Sequence, residues 1–203
     1  MVLGTDPGTP HRIGRDRQFH DIAGSAALSR CAIAWGGLRV FMTGLKWAVL
    51  GLIVIGVLLL IAGQLGLFRS SAPSDLGVKD GKLKPPSSTE NSVSSQTGLY
   101  PDHPMRAYAE IAPLNYSGDG TAALAKLRTS IESMAGAIMI RPEPLYLHVE
   151  FTSRWFKFVD DVEFVVDEKA SVIHVRSAAR VGRKDLGVNR ARVETIRSRF
   201  GAG

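Results

Sequence analysis

The chain has 203 residues, a formal net charge of +6 and a single cysteine, Cys31. One cysteine excludes an intramolecular disulfide and a cysteine metal cluster. The first 97 residues hold 10 basic and 6 acidic side chains and the rest hold 15 and 13, so the C-terminal half is nearly balanced. A basic pI then gives no support for nucleic-acid binding, and aromatic residues are not interleaved with the arginines as stacking would require.

Residues 1–46 read as an N-terminal arm without clear periodicity, and Met42, just before the apolar run, is an alternative start. From Trp47 to Phe68 the sequence is uncharged and interrupted only by Gln64. At the helical rise this run reaches about 33 Å, against about 30 Å of hydrocarbon in a bilayer. Lys46 and Arg69 bracket it, with Trp47 and Phe68 at headgroup depth, so residues 47–68 are predicted to form one transmembrane helix. A buried core helix needs only about 10–14 such residues. A cleaved signal peptide has an apolar core of about 7–15 residues, and Ala72-Pro73 is a poor cleavage junction.

Orientation is nearly balanced. Arg30, Arg39 and Lys46 stand on one side, and Arg69, Lys79, Lys82 and Lys84 on the other. Counting Arg12, Arg15 and Arg17 tips the charge towards an inside N-terminus, whereas a start at Met42 would leave Lys46 almost alone and lean the other way. The expected location is a bacterial inner membrane, with the C-terminal domain periplasmic or extracellular.

Residues 69–97 are rich in Ser, Pro, Gly and Lys, and this composition predicts a flexible linker. The soluble domain is expected over 98–203. Gly118-Asp119-Gly120-Thr121 supplies turn and N-cap chemistry for a helix whose buried stripe is Leu124, Leu127, Ile131 and Met134, with Gly136 placed to stop it. Ala137 to Ile140 is a short β-prone run. Leu145, Leu147, Val149 and Phe151 then alternate with Tyr146, His148 and Glu150, and similar alternation continues in 158–166 and 172–177. A last helix is expected from Leu186 to Phe200, capped by Asp185, with Leu186, Val193, Ile196 and Phe200 buried. The fold class is therefore α+β: an antiparallel β-meander packed with two helices and preceded by a single transmembrane helix.

Four-residue connections at Arg154–Lys157 and Asp167–Ala170 would place Glu150 opposite Asp161 and His148 opposite Glu163. They would also place Asp161 opposite Arg176 and Glu163 opposite His174. Two readings of this polar face compete. His148, Glu163 and His174 could bind a metal or serve acid–base chemistry in a hydrolase-type enzyme. Alternatively, the face, with Glu150 and Asp161, is solvated and laced with weak cross-strand ion pairs.

The stretch 176–194 concentrates arginines around Asp185 and Asn189. Asn189 falls on the buried stripe and needs internal partners. It is expected to bond the loop before it and to hold Arg176 and Arg180. Arg176, Arg180, Asp185, Asn189 and Arg192 would then form a site for a lipid headgroup or small anion. The competing reading is that the arginines neutralise Asp160, Asp161 and Glu163 internally.

The blocks FVDDVEF (158–164), VRSAARVG (175–182) and DLGVNRARVE (185–194) resemble the bacterial and plant family known as domain of unknown function 1499, over roughly residues 88–200. The resemblance implies an often membrane-associated protein with no activity to carry over. Relatives often have Asn-Cys-Val-Ser-Ser near the domain start, where this chain has Asn91-Ser92-Val93-Ser94-Ser95, so no cysteine-dependent role transfers. With no Gly-rich phosphate loop, no nucleophile elbow and no required cofactor, the sequence favours a membrane-anchored, non-enzymatic binding or structural module of the cell envelope.

Overall fold

The computed structural model describes residues 16–202, with side chains over 39–201. The chain divides into two units, Met1–Val57 and Leu58–Gly203. Within the described residues the first unit is helix α1 (Asp16–Gln64), whose last turns belong to the second. Over Arg39–Gln64 this helix is long and apolar enough to cross a membrane, and none of its most apolar window is buried. The expected run ended at Phe68, but the helix stops four residues earlier. Gly66, at φ +79°, allows the chain to turn back. Gly66 N donates to Gly63 O (2.9 Å) and Leu67 N to Ala62 O (3.1 Å), a Schellman closure of the helix end.

The second unit is an α+β domain. In chain order it holds β1 (Ser92–Ser94), a 3-10 turn (Thr97–Leu99), α2 (Arg106–Ala109), β2 (Leu114–Asn115) and α3 (Gly120–Glu132). Then follow β3 (Ala137–Pro142), β4 (Tyr146–Thr152), β5 (Val159–Asp167), β6 (Val172–Ala179) and α4 (Val188–Ala202). The six-stranded antiparallel sheet has the order β1-β6-β5-β4-β3, with β2 also pairing β6. Helices α3 and α4 cover one face. Leu124, Leu127 and Ile131 from α3 and Val193, Ile196 and Phe200 from α4 pack on Leu147, Val149, Phe151, Val162, Phe164 and Val175.

Local chemistry sets the boundaries. Asp119 Oδ1 accepts from Ala122 N (2.7 Å), so within the expected 118–121 stretch it is Asp119 that caps α3. Gly136 lies beyond the helix end at φ +81°, and a Cβ there would meet Thr152 O at 2.4 Å. The glycine therefore permits the backbone approach that starts β3, as well as the exit from α3. Asp185 accepts from Gly187 N (3.0 Å) and Asn189 N (2.9 Å), so it does cap α4. The helix begins only at Val188, however. Leu186, expected in the buried stripe, occupies the turn at φ +54° and is 92% exposed.

The β4–β5 register is as read from the sequence, with Glu150 opposite Asp161 and His148 opposite Glu163. The β5–β6 register is offset by two residues from the expected one. Glu163 faces Arg176, Val165 faces His174 and Asp161 faces Ala178. Asp167 Oδ1 accepts from Lys169 N and Ala170 N, both at 3.0 Å, so Asp167 serves as the last strand residue and the turn starts after it. Ser171 completes the turn at φ +53°. An even offset leaves every side chain on its expected face.

Residues 69–97, expected as a flexible linker, are packed on the domain. Several of their polar groups are tied to the domain, which composition does not reveal. Leu83 is buried against Tyr146 and Val165 on the sheet face opposite α3 and α4. Gln96 Oε1 accepts from Leu83 N (2.8 Å), and Ser92 Oγ accepts from Ser87 N (2.8 Å). β1, from the same stretch, extends the sheet beside β6.

Candidate functional site

The alternation of β4, β5 and β6 divides the charged residues between the two sheet faces. Val149, Val162 and Val175 point into the helix-covered core, so His148, Glu150, Asp161, Glu163, His174 and Arg176 point to the other face. One of the two competing readings has that face solvated. Instead the segment from Arg69 to Pro85 lies across it, and His148, Glu150, Asp161, Glu163 and Arg176 are all buried. A buried ion pair and a solvated one have the same sequence pattern, which explains why the covering segment could not be read from alternation.

Two charge clusters lie under this segment. In the first, Arg180 engages Asp161 through Nε to Oδ2 (2.8 Å) and Nη2 to Oδ1 (2.6 Å). It also pairs with Glu150 Oε1, and donates through Nη1 to Ser70 O (3.0 Å). His148 Nε2 lies 2.8 Å from Asp161 Oδ1, and Arg69 pairs with Glu150 Oε2 at 3.4 Å. Burial alone would raise the Asp161 carboxyl, but hydrogen bonds and charge from Arg180 and His148 outweigh it and hold it below the usual range. The same bonds, Asp161 first, raise the Arg180 guanidinium against its own desolvation.

In the second cluster, Glu163 is completely buried and its Oε1 accepts from Tyr146 Oη (2.8 Å) and Gly77 N (2.7 Å). Arg176 Nη1 stands 3.6 Å from Glu163 Oε2, which has no hydrogen-bond partner among the described residues. Arg176 Nε donates to Pro85 O at 3.1 Å. Burial, then the Glu163 carboxylate, pushes the Tyr146 phenol upward, while burial lowers Arg176 against the pull of Glu163.

The third cluster is on the helix-covered face. Asn189 is fully buried, as expected, but its partners differ from those expected. Its Nδ2 donates to Asn91 O (3.1 Å) and Asp185 Oδ2 (2.8 Å), and its Oδ1 accepts from Ser177 Oγ and Arg192 Nη1 (2.7 Å). Arg192 also reaches Asp160 Oδ2 at 2.6 Å and stacks over Phe151, 4.9 Å from the ring centroid. Tyr108 Oη donates to Asp185 Oδ1 at 3.0 Å.

The five residues expected to make one anion site are therefore divided. Arg176 and Arg180 lie under the 69–85 segment, whereas Asp185, Asn189 and Arg192 lie on the helix side. Asn189 holds neither Arg176 nor Arg180. The three carboxylates weighed as internal partners of the arginines each have one: Asp160 pairs with Arg192, Asp161 with Arg180 and Glu163 with Arg176. His148, Glu163 and His174 do not converge either. His174 lies opposite Val165, its Nδ1 is 3.2 Å from Ser95 Oγ, and its Nε2 is 3.8 Å from Asp167 Oδ2. Among the described residues, no three His, Cys, Asp or Glu side chains are grouped to hold a metal ion. The partners that sequence reasoning missed, Asn91, Ser177, Gly77 and Ser70, act through backbone groups or short hydroxyls, which leave no charge pattern to read.

The family model described as "Protein of unknown function (DUF1499)" matches residues 82–200, and the chain belongs to this family. No curated protein and no solved structure matches the chain. The matched span contains β1 through most of α4 and all three clusters except their contacts with Arg69, Ser70 and Gly77.

Proposed function

We propose that this DUF1499 member is a membrane-tethered, non-enzymatic binding or structural module of the bacterial cell envelope. Its anchor is the apolar helix Arg39–Gln64, whose most apolar window has no burial within the protein and is therefore suited to lipid. The observation that carries the non-enzymatic part is the mutual neutralisation of the buried charges. The arginines that could bind substrate and the carboxylates that could move protons hold one another, and they fasten residues 69–85 to the sheet. Groups engaged in this way support a rigid scaffold better than they support turnover.

A topology reporter fused after Phe200, active on only one side of the membrane, tests the envelope assignment. Activity on the exported side supports it. Activity on the cytoplasmic side would contradict it and direct the search for partners to the cell interior.

A further inference from the structure

The β4–β5 connection carries exposed aromatic residues, with Trp155 58%, Phe156 38% and Phe158 39% accessible. Such rings on a hairpin tip are costly in water unless something covers them. The tip is fastened to the end of the apolar helix. Gln64 Nε2 donates to Trp155 O (2.8 Å) and Arg154 O (3.2 Å). A Cβ at Gly63 would meet the Phe156 backbone at 2.8–3.0 Å, so the two backbones touch. The Phe68 ring lies 6.4 Å from that of Phe156 and 5.6 Å from that of Phe158.

The charge of the tip matches its aromatic content. Arg154 stacks 5.0 Å over Trp155, Lys157 follows two residues on, and no acidic residue occurs from Ser153 to Phe158. Tryptophan and phenylalanine combined with arginine and lysine suit the headgroup layer, where rings meet the acyl boundary and cations meet lipid phosphates. The end of a membrane span is at that depth by necessity, so anything bonded to Gln64 and packed on Phe68 is brought to it.

We propose that the hairpin tip Arg154–Phe158 seats in the headgroup layer of an anionic bilayer and forms a second membrane contact beside the apolar helix. The proposal rests on the reading of Arg39–Gln64 as a membrane span. It would fix the orientation of the soluble domain on the lipid surface.

The full chain carrying Trp35→Phe and Trp47→Phe leaves Trp155 as the sole tryptophan. This variant would be reconstituted in phosphatidylcholine–phosphatidylglycerol vesicles bearing a nitroxide either on the headgroup or deep in the acyl chains. The expected result is co-flotation with the vesicles, loss of most Trp155 fluorescence to the headgroup nitroxide, little loss to the deep one and poor access of iodide. Omitting phosphatidylglycerol should reduce the headgroup quenching, and unchanged quenching would overturn the anionic preference. Flotation with Trp155 open to iodide and unaffected by either nitroxide would overturn the hairpin contact while leaving the anchor intact. Shielding from iodide without lipid quenching would overturn it in favour of a protein contact. Failure to float would overturn both the contact and the span.

Discussion

Arg180 grips Asp161 through two parallel hydrogen bonds, Nε to Oδ2 at 2.8 Å and Nη2 to Oδ1 at 2.6 Å, beneath a segment that composition alone describes as a tether. The fork geometry requires a guanidinium, because an ammonium is a point charge without two parallel donors. Removing it would strand Asp161 and Glu150 in a buried site. Arg180→Ala is expected to cost about 3–5 kcal/mol, and Arg180→Lys should recover only part of that. Chemical denaturation in detergent micelles of the full chain carrying Trp35→Phe and Trp47→Phe, followed by Trp155 fluorescence, provides the check.

Asn189 ties α4 to β6 and to the strand-forming segment at Asn91. Asn189→Leu would leave Asn91 O and Asp185 with one donor fewer each, at an expected cost of about 1–3 kcal/mol. Because Ala179 N also donates to Asn91 O, amide exchange at Ala179 should accelerate more than exchange in β3. Uniform acceleration across the sheet would show that Asn189 has no local fastening role.

Gly136 combines φ +81° with a 2.4 Å approach of its would-be Cβ to Thr152 O. Gly136→Ala therefore meets both backbone strain and a clash that only main-chain movement can relieve. A loss of more than about 1 kcal/mol is expected, measured as a lower denaturation midpoint with an unchanged slope.

Acid should weaken the domain in two stages. Burial lowers the His174 imidazole below its usual 6.5, against the opposing pull of Asp167, so the folded state favours the neutral ring. Its contribution is present above that value and is lost as pH falls through the folded one. Asp161 and Asp185 are also held below their usual 3.8, so their contribution persists above that value and disappears at still lower pH. A Tm–pH profile should therefore fall in the mildly acidic range and fall again near the carboxylate range. His174→Gln should remove the first step and retain the second.

Metal removal provides a separate test. The His148, Glu163 and His174 side chains engage different partners, so chelation should leave Tm unchanged. A chelator-dependent fall in Tm that is abolished in His148→Ala would restore the metal reading of this face.

The meander and its two covering helices were legible because alternation and helical spacing report burial on one face directly. The β4–β5 register was legible too, since four loop residues fix it. The β5–β6 register was missed by two because Asp167 turned out to cap the turn rather than occupy it. Leu186 keeps the helical spacing of the stripe, but the cap at Asp185 requires a turn first. The largest gap concerned residues 69–97. Serine, proline and glycine suggest solvent, yet here Ser70 and Pro85 offer carbonyls to buried arginines and Gly77 offers its amide to Glu163. Main-chain partners of this kind leave no trace in residue type. The internal neutralisation of Asp160, Asp161 and Glu163 was available as a sequence reading, because arginines are concentrated at 176–194, shortly after those carboxylates in the chain.

The central claim is that Arg39–Gln64 anchors this domain in a membrane. Alkaline carbonate extraction of membranes from cells expressing the full chain tests it most directly. The account predicts that the chain stays in the membrane pellet, whereas a variant lacking residues 39–64 is released. Release of the full chain into the soluble fraction would contradict it.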